Sequence, residues 1–120
     1  MNPTPRAVRV ISAAAKRFEP DVPGSRYWSL SLDHVQLTYF EAEPGAKFPL
    51  HSHASEQITH VVAGTLIFVT GEHEYSLAEG DSIAIPAEVP HAVYAGPEGA
   101  KAFDAWSPPA ARYVTASTSS

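Results

Sequence analysis

The chain contains no cysteine. That excludes disulfides, cysteine-ligated zinc ribbons, thiol nucleophiles and iron–sulfur clusters. It suits a reducing cytoplasm, which is the expected compartment. No apolar run approaches the roughly 20 residues that span a bilayer. Near the N-terminus, Arg6, Arg9, Lys16 and Arg17 interrupt the apolar residues, so no signal peptide and no membrane association are expected. Positive charge is also scarce. Eight Lys and Arg stand against thirteen Asp and Glu, a net charge of −5. An acidic chain without a basic stripe is a poor partner for nucleic acid. No internal repeat is visible.

What is present fits one domain. The 120 residues are 44% hydrophobic, enough to build a core. A single domain over residues 1–120 is expected, with its barrel core over about 26–107 and loose termini, the tail Thr115–Ser120 included. Eleven prolines and seven glycines separate short segments rich in Val, Ile, Leu, Phe and Tyr. This pattern predicts an all-β sandwich or barrel. Strands are expected around Val8–Ile11, Arg26–Leu32, Val35–Ala42, Lys47–His53, Ile58–Ala63, Thr65–Thr70, Glu72–Leu77, Asp81–Ile85, His91–Ala95 and Lys101–Trp106. Turns are expected at Glu43-Pro44-Gly45, Ala63-Gly64, Thr70-Gly71, Glu79-Gly80 and Gly96-Pro97. Three alanines predict a short helix within Ser12–Phe18. The segment Val61–Val69 is apolar on both faces, whereas a half-solvated strand alternates. Its outer face needs cover, and a two-fold homodimer would supply it.

The histidines carry the chemistry. His51 and His53 stand two apart on a predicted strand, so both project from one face. Gln57 has the same parity after a short bend, and His91 follows Pro90 at the start of a later strand. Three neutral imidazoles and one amide oxygen suit a single divalent ion: Zn, Ni, Mn, Fe or Co. Glu56 is the alternative fourth ligand if a bulge reverses the faces. A lone histidine is more often a surface or satisfied core residue, and His34, His60 and His73 are read that way.

The spacing around these residues resembles the cupin superfamily. Gly45, five residues, His51-Ser52-His53, three residues, Gln57, six residues and Gly64 resemble its first motif. Gly80, five residues, Pro86-Ala87-Glu88, two residues and His91 resemble the second. The resemblance implies a double-stranded β-helix, a jelly-roll barrel. Gln57 stands where the motif usually has glutamate, Glu88 where it has glycine and Ala95 where it has asparagine. An amide ligand leaves the ion its full double charge, which favours Lewis-acid chemistry and a carboxylate-bearing small-molecule substrate.

Asp104 and Trp106 share a strand face just before Ser107-Pro108-Pro109. Alone they read as a capping aspartate and a core tryptophan. Together with the histidine set they resemble the KdgF-type cupins, small enzymes that linearise unsaturated uronates. In that family three histidines and a glutamine hold the metal, and an aspartate, an aromatic residue and an arginine line the active site. The resemblance implies Asp104 as catalytic acid or base, and Trp106 as a substrate wall. The arginine position is Ala110 here, which leaves Arg112 as the candidate substrate-binding cation. The expected function is ring opening of an unsaturated uronate or a related sugar acid. The alternatives are a non-heme iron dioxygenase and a non-catalytic binding cupin.

Overall fold

The computed structural model describes residues 7–114. Eight strands form the framework: β1 Glu19–Pro20, β2 Ser25–Ser31, β3 Gln36–Ala42, β4 Lys47–His51, β5 Glu56–Thr70, β6 His73–Leu77, β7 Ser82–Ile85 and β8 His91–Ser107. Every pairing is antiparallel, in the order β1-β2-β3-β8-β5-β6, with β4 also on β8 and β7 also on β5.

The two long strands make this a jelly roll. The last part of β8 pairs with β3, and its first part pairs with β4. The first part of β5 pairs with β7, and its last part pairs with β6. Each long strand therefore passes from one leaf of the roll into the other. The expected turns at Ala63-Gly64 and Gly96-Pro97 are bends inside these strands, so four expected strands are two. The bends need glycine. A Cβ on Gly64 would lie 2.0 Å from the Gly99 carbonyl oxygen, and Gly64 and Gly99 have φ +78 and +76. Glycine at a strand bend lets two backbones approach closely.

Two further expectations differ. Val8–Ile11 is not a strand: it joins no ladder of the sheet, although the Arg9 side chain donates to the Ser31 carbonyl on β2, and Val8 is 93% exposed. The helix expected within Ser12–Phe18 is one 3₁₀ turn at Ala13–Ala15, since three alanines are too few to nucleate more. The tail Thr115–Ser120 lies outside the described residues.

Inward-facing side chains sort into rows across the sheet. Phe40, Ala102 and Val61 form an apolar row, continuous with Leu66 and Phe68 in the core. The next row is polar: Thr38 opposite Asp104, and Asp104 opposite Thr59. Beyond it stand Gln36, Trp106 and Gln57. All of these are buried. The interior is dry at one end and hydrogen-bonded at the other, and the polar end faces the histidines.

Candidate metal centre

His51 ends β4, and His91 opens β8 directly opposite it. His53 lies just past β4 rather than on it, in the bend before β5. Strand parity therefore does not aim His53; its hydrogen bond to the bend does. The rings converge, with centroids 4.5 Å apart for His51–His91 and 5.0 Å for His53–His91. One ring nitrogen from each lies within 4.8 Å of the others. Donors about 2.0–2.1 Å from one ion stand about 3.3–3.4 Å apart in a tetrahedral shell, so a contraction of up to about 1.5 Å would close the set.

The backbone sets the tautomers. Nδ1 of His51 lies 2.7 Å from the Pro49 carbonyl, Nδ1 of His53 2.8 Å from that of Ser55, and Nδ1 of His91 2.8 Å from that of Val89. A carbonyl only accepts, so each Nδ1 carries the proton and each Nε2 presents its lone pair. Burial holds the His91 pKa below the usual histidine value; the Val89 carbonyl opposes this, and His51 and His53 add to it. His91 thus stays neutral near neutrality, the form that can donate to an ion.

Gln57 adjoins the cluster at His53. Its Oε1 lies 3.1 Å from His53 Nε2. Its amide nitrogen donates to Thr59 Oγ1 at 2.9 Å and to Asp104 Oδ1 at 3.4 Å. In the Nδ1–H tautomer of His53, two lone pairs, from Gln57 oxygen and His53 nitrogen, face each other. Such a juxtaposition repels unless a cation sits beside it. This chemistry fits a divalent ion. Gln57 is buried and Glu56 is exposed, so Glu56 points away from the cluster.

Behind Gln57 lies Asp104, buried between two threonines. Thr59 Oγ1 donates to its Oδ1 at 2.5 Å, and Thr38 Oγ1 to its Oδ2 at 3.4 Å. Burial raises its pKa from 3.8 to about 7, against the lowering effect of these hydrogen bonds, with Asp21 adding to the rise. Trp106 Nε1 donates to Thr38 Oγ1 at 3.0 Å, and the indole meets His53 edge to face, centroids 5.2 Å apart.

His51, Gln57, His91, Asp104 and Trp106 line one cavity, whose free centre is about 30 Å³, room for an ion and a water or two. Arg112 is not brought into it. Its side chain is 53% exposed and ion-paired with Asp21. Two lining residues, Asp21 and Tyr113, carry no motif in the sequence. Tyr113 donates to Asp21 Oδ2 at 3.0 Å, and its ring packs on Tyr27 and Trp106. Residues 108–114 reach this position through side-chain bonds. Ser55 Oγ donates to the Pro108 carbonyl, Ser29 Oγ to that of Tyr113, and the Gln36 amide bonds Ala110 in both directions. His60 meets Ser82, His73 stacks on Tyr75, and His34 is exposed; none joins the cluster.

The cupin-domain family profile matches residues 38–106, more than half of the sequence. The chain belongs to the cupin family. Solved structures agree with the fold. An RmlC-like cupin from Shewanella frigidimarina NCIMB 400 is 22% identical, covering 90% of this cupin and 97% of its own chain, with a TM-score of 0.82. KdgF from Halomonas sp. is 18% identical, covering 90% of this cupin and 100% of its own chain, with a TM-score of 0.83. The polyketide cyclase RemF from Streptomyces resistomycificus is 23% identical, covering 85% and 80%, with a TM-score of 0.72. No curated protein matches this cupin.

Proposed function

We propose that this cupin is a metal-dependent enzyme acting on a small oxygenated acid, most specifically in the ring opening of an unsaturated uronate or a related sugar acid. What supports this reading is the clustering of three imidazoles, with the Gln57 oxygen beside His53 Nε2 and a buried carboxyl behind that amide. A bound Zn, Ni, Mn, Fe or Co ion would supply Lewis acidity and an anchor for a substrate carboxylate. His51, His53, Gln57 and His91 hold it. Asp104, with its pKa lifted to about 7 in the metal-free protein, carries a proton to or from the substrate near neutrality. Trp106 forms an apolar wall for a sugar ring. Arg112 is ion-paired with Asp21, which itself lines the cavity, and so stands beside the site as a candidate substrate-binding cation. The residues Asp104, Trp106, Ser107 and Pro108, which resemble the KdgF-type pattern, favour uronate chemistry over other acids.

The cavity's small free volume supports a second reading, a non-catalytic cupin that holds an ion and a small anion. Metal analysis followed by a screen of unsaturated uronates separates the two. Linearisation removes the conjugated chromophore, so turnover appears as loss of ultraviolet absorbance. Metal-loaded protein that is inert toward every uronate overturns the enzyme reading.

A homodimer is also proposed. Outward-facing Leu30, Leu37, Ala105 and Ile58 form an apolar row across four strands. Leu37 is 38% exposed, Ile58 54% and Val62 39%. A sheet face this apolar gains stability when a second copy covers it.

A further inference from the structure

Gln57 is the one member of the ligand set whose flip replaces an oxygen acceptor with N–H donors. An amide presents an oxygen to an ion, but after a flip it presents two N–H groups, which repel it. The orientation is therefore decided by whatever faces the other end of the amide. That place is held by Asp104 and Thr59, which stand opposite each other across β8 and β5.

The hydrogen bonds around Asp104 run in one direction. The Trp106 indole can only donate, and it donates to Thr38 Oγ1. Thr38 then directs its own proton to Asp104 Oδ2. On the other side the Gln57 amide nitrogen donates to Thr59 Oγ1, and Thr59 donates to Asp104 Oδ1. Both relays end on the same carboxyl, which is the final acceptor in its ionised form, the form a neighbouring cation favours. A flipped Gln57 would set its oxygen against Asp104 Oδ1, acceptor against acceptor, in a buried site where such a mismatch is costly.

We propose that Asp104 is a positioning residue for the metal site: together with Thr59 it holds the Gln57 amide so that oxygen, and not nitrogen, faces the three histidines. This rests on the metal-binding reading above. It assigns Asp104 a task that is independent of any proton it carries to a substrate. It also accounts for an amide at position 57, because an acceptor behind that side chain calls for a donor in front of it.

The test compares two uncharged replacements. Asp104→Asn keeps a carbonyl oxygen for Thr59 and Gln57 to meet. Asp104→Leu has a similar size and no acceptor. Neither carries charge, so any difference between them isolates acceptor geometry from long-range attraction of the cation. Zinc ion alone is the probe, titrated into metal-free protein in competition with a chromophoric chelator. Asp104→Leu is expected to bind zinc at least about 10-fold more weakly than Asp104→Asn, within the about 10–100-fold range of lost outer-shell partners. Thr59→Val removes the relay with little change of shape and is expected to weaken zinc about 10-fold. It carries the test if Asp104→Leu does not fold, which a thermal melt of the metal-free protein reveals. Equal zinc affinity for Asp104→Asn and Asp104→Leu, or wild-type affinity in Thr59→Val, overturns the proposal. Failure of the metal-site reading looks different: His51→Ala would then bind zinc as the wild type does.

Discussion

Asp104→Asn should reverse part of the pH dependence of stability. In the metal-free protein, burial lifts the Asp104 pKa from 3.8 to about 7. The folded state then keeps a proton that the unfolded state releases at lower pH. Between about pH 4 and pH 7 the native protein binds about one more proton than the unfolded chain, so this residue makes stability fall as pH rises. Its contribution is fully present below the unfolded pKa and is lost as pH climbs through the folded one. Each pKa unit corresponds to 1.36 kcal/mol, so a shift of about three units amounts to about 4 kcal/mol. The asparagine of the variant cannot ionise and escapes this loss. Urea denaturation of chelator-treated wild type and Asp104→Asn, across that pH window, gives two stability curves. Subtracting them cancels the other titrating groups. The difference should grow in favour of the variant by up to about 1.4 kcal/mol per pH unit and flatten above about pH 7. Added zinc should shrink the slope, because a neighbouring cation stabilises the ionised carboxylate. A difference that does not change with pH would refute a protonated, buried Asp104.

Other expected outcomes follow from the same geometry. His51→Ala should abolish stoichiometric metal in elemental analysis while leaving the circular dichroism of the fold intact; full metal content would remove His51 from the site. Gly64→Ala should prevent or severely destabilise folding, because its Cβ would meet the Gly99 carbonyl oxygen at 2.0 Å and φ is +78; a normal melting temperature would show that the bend relaxes freely. Sedimentation should find a dimer in the wild type and a monomer in Ile58→Glu, which places a charge in the exposed apolar row; a wild-type monomer at every concentration would end the dimer proposal.

The fold is legible where local pattern and topology agree. The Gly45–Gly64 and Gly80–His91 spacings point to the barrel, and parity gives Asp104 and Trp106 a common inward face. The bends read as turns because a glycine with positive φ serves a turn and a strand bulge equally well. Val8–Ile11 has strand composition but enters no ladder, and composition alone does not pair a strand. The interior of β3 is harder still. Gln36 and Thr38 face inward while Leu37 and Tyr39 face outward, the reverse of a simple hydrophobic alternation. The reason is that the barrel's interior at that end is a polar network, which no local rule anticipates. Asp21 lies far from every motif, and Tyr113, though next to Arg112, belongs to none; it reaches the cavity through the path of residues 108–114.

The two pairs of candidate ligands belong to strands of unequal persistence. Gln57 and His91 sit on β5 and β8, which share the longest ladder in the sheet. His51 and His53 sit on and just beyond β4, whose ladder to β8 has three registered pairs and a shift before His51. Short, irregular ladders open locally at far lower free energy than the global fold. In the metal-free protein β4 should therefore exchange its amide hydrogens early and β5 and β8 late. An ion would tie the transient half of its own cage to the permanent half, and protect β4 by mass action. The lifetime of the bound ion would then be set by the opening rate of a five-residue strand rather than by the strength of any single metal–ligand bond.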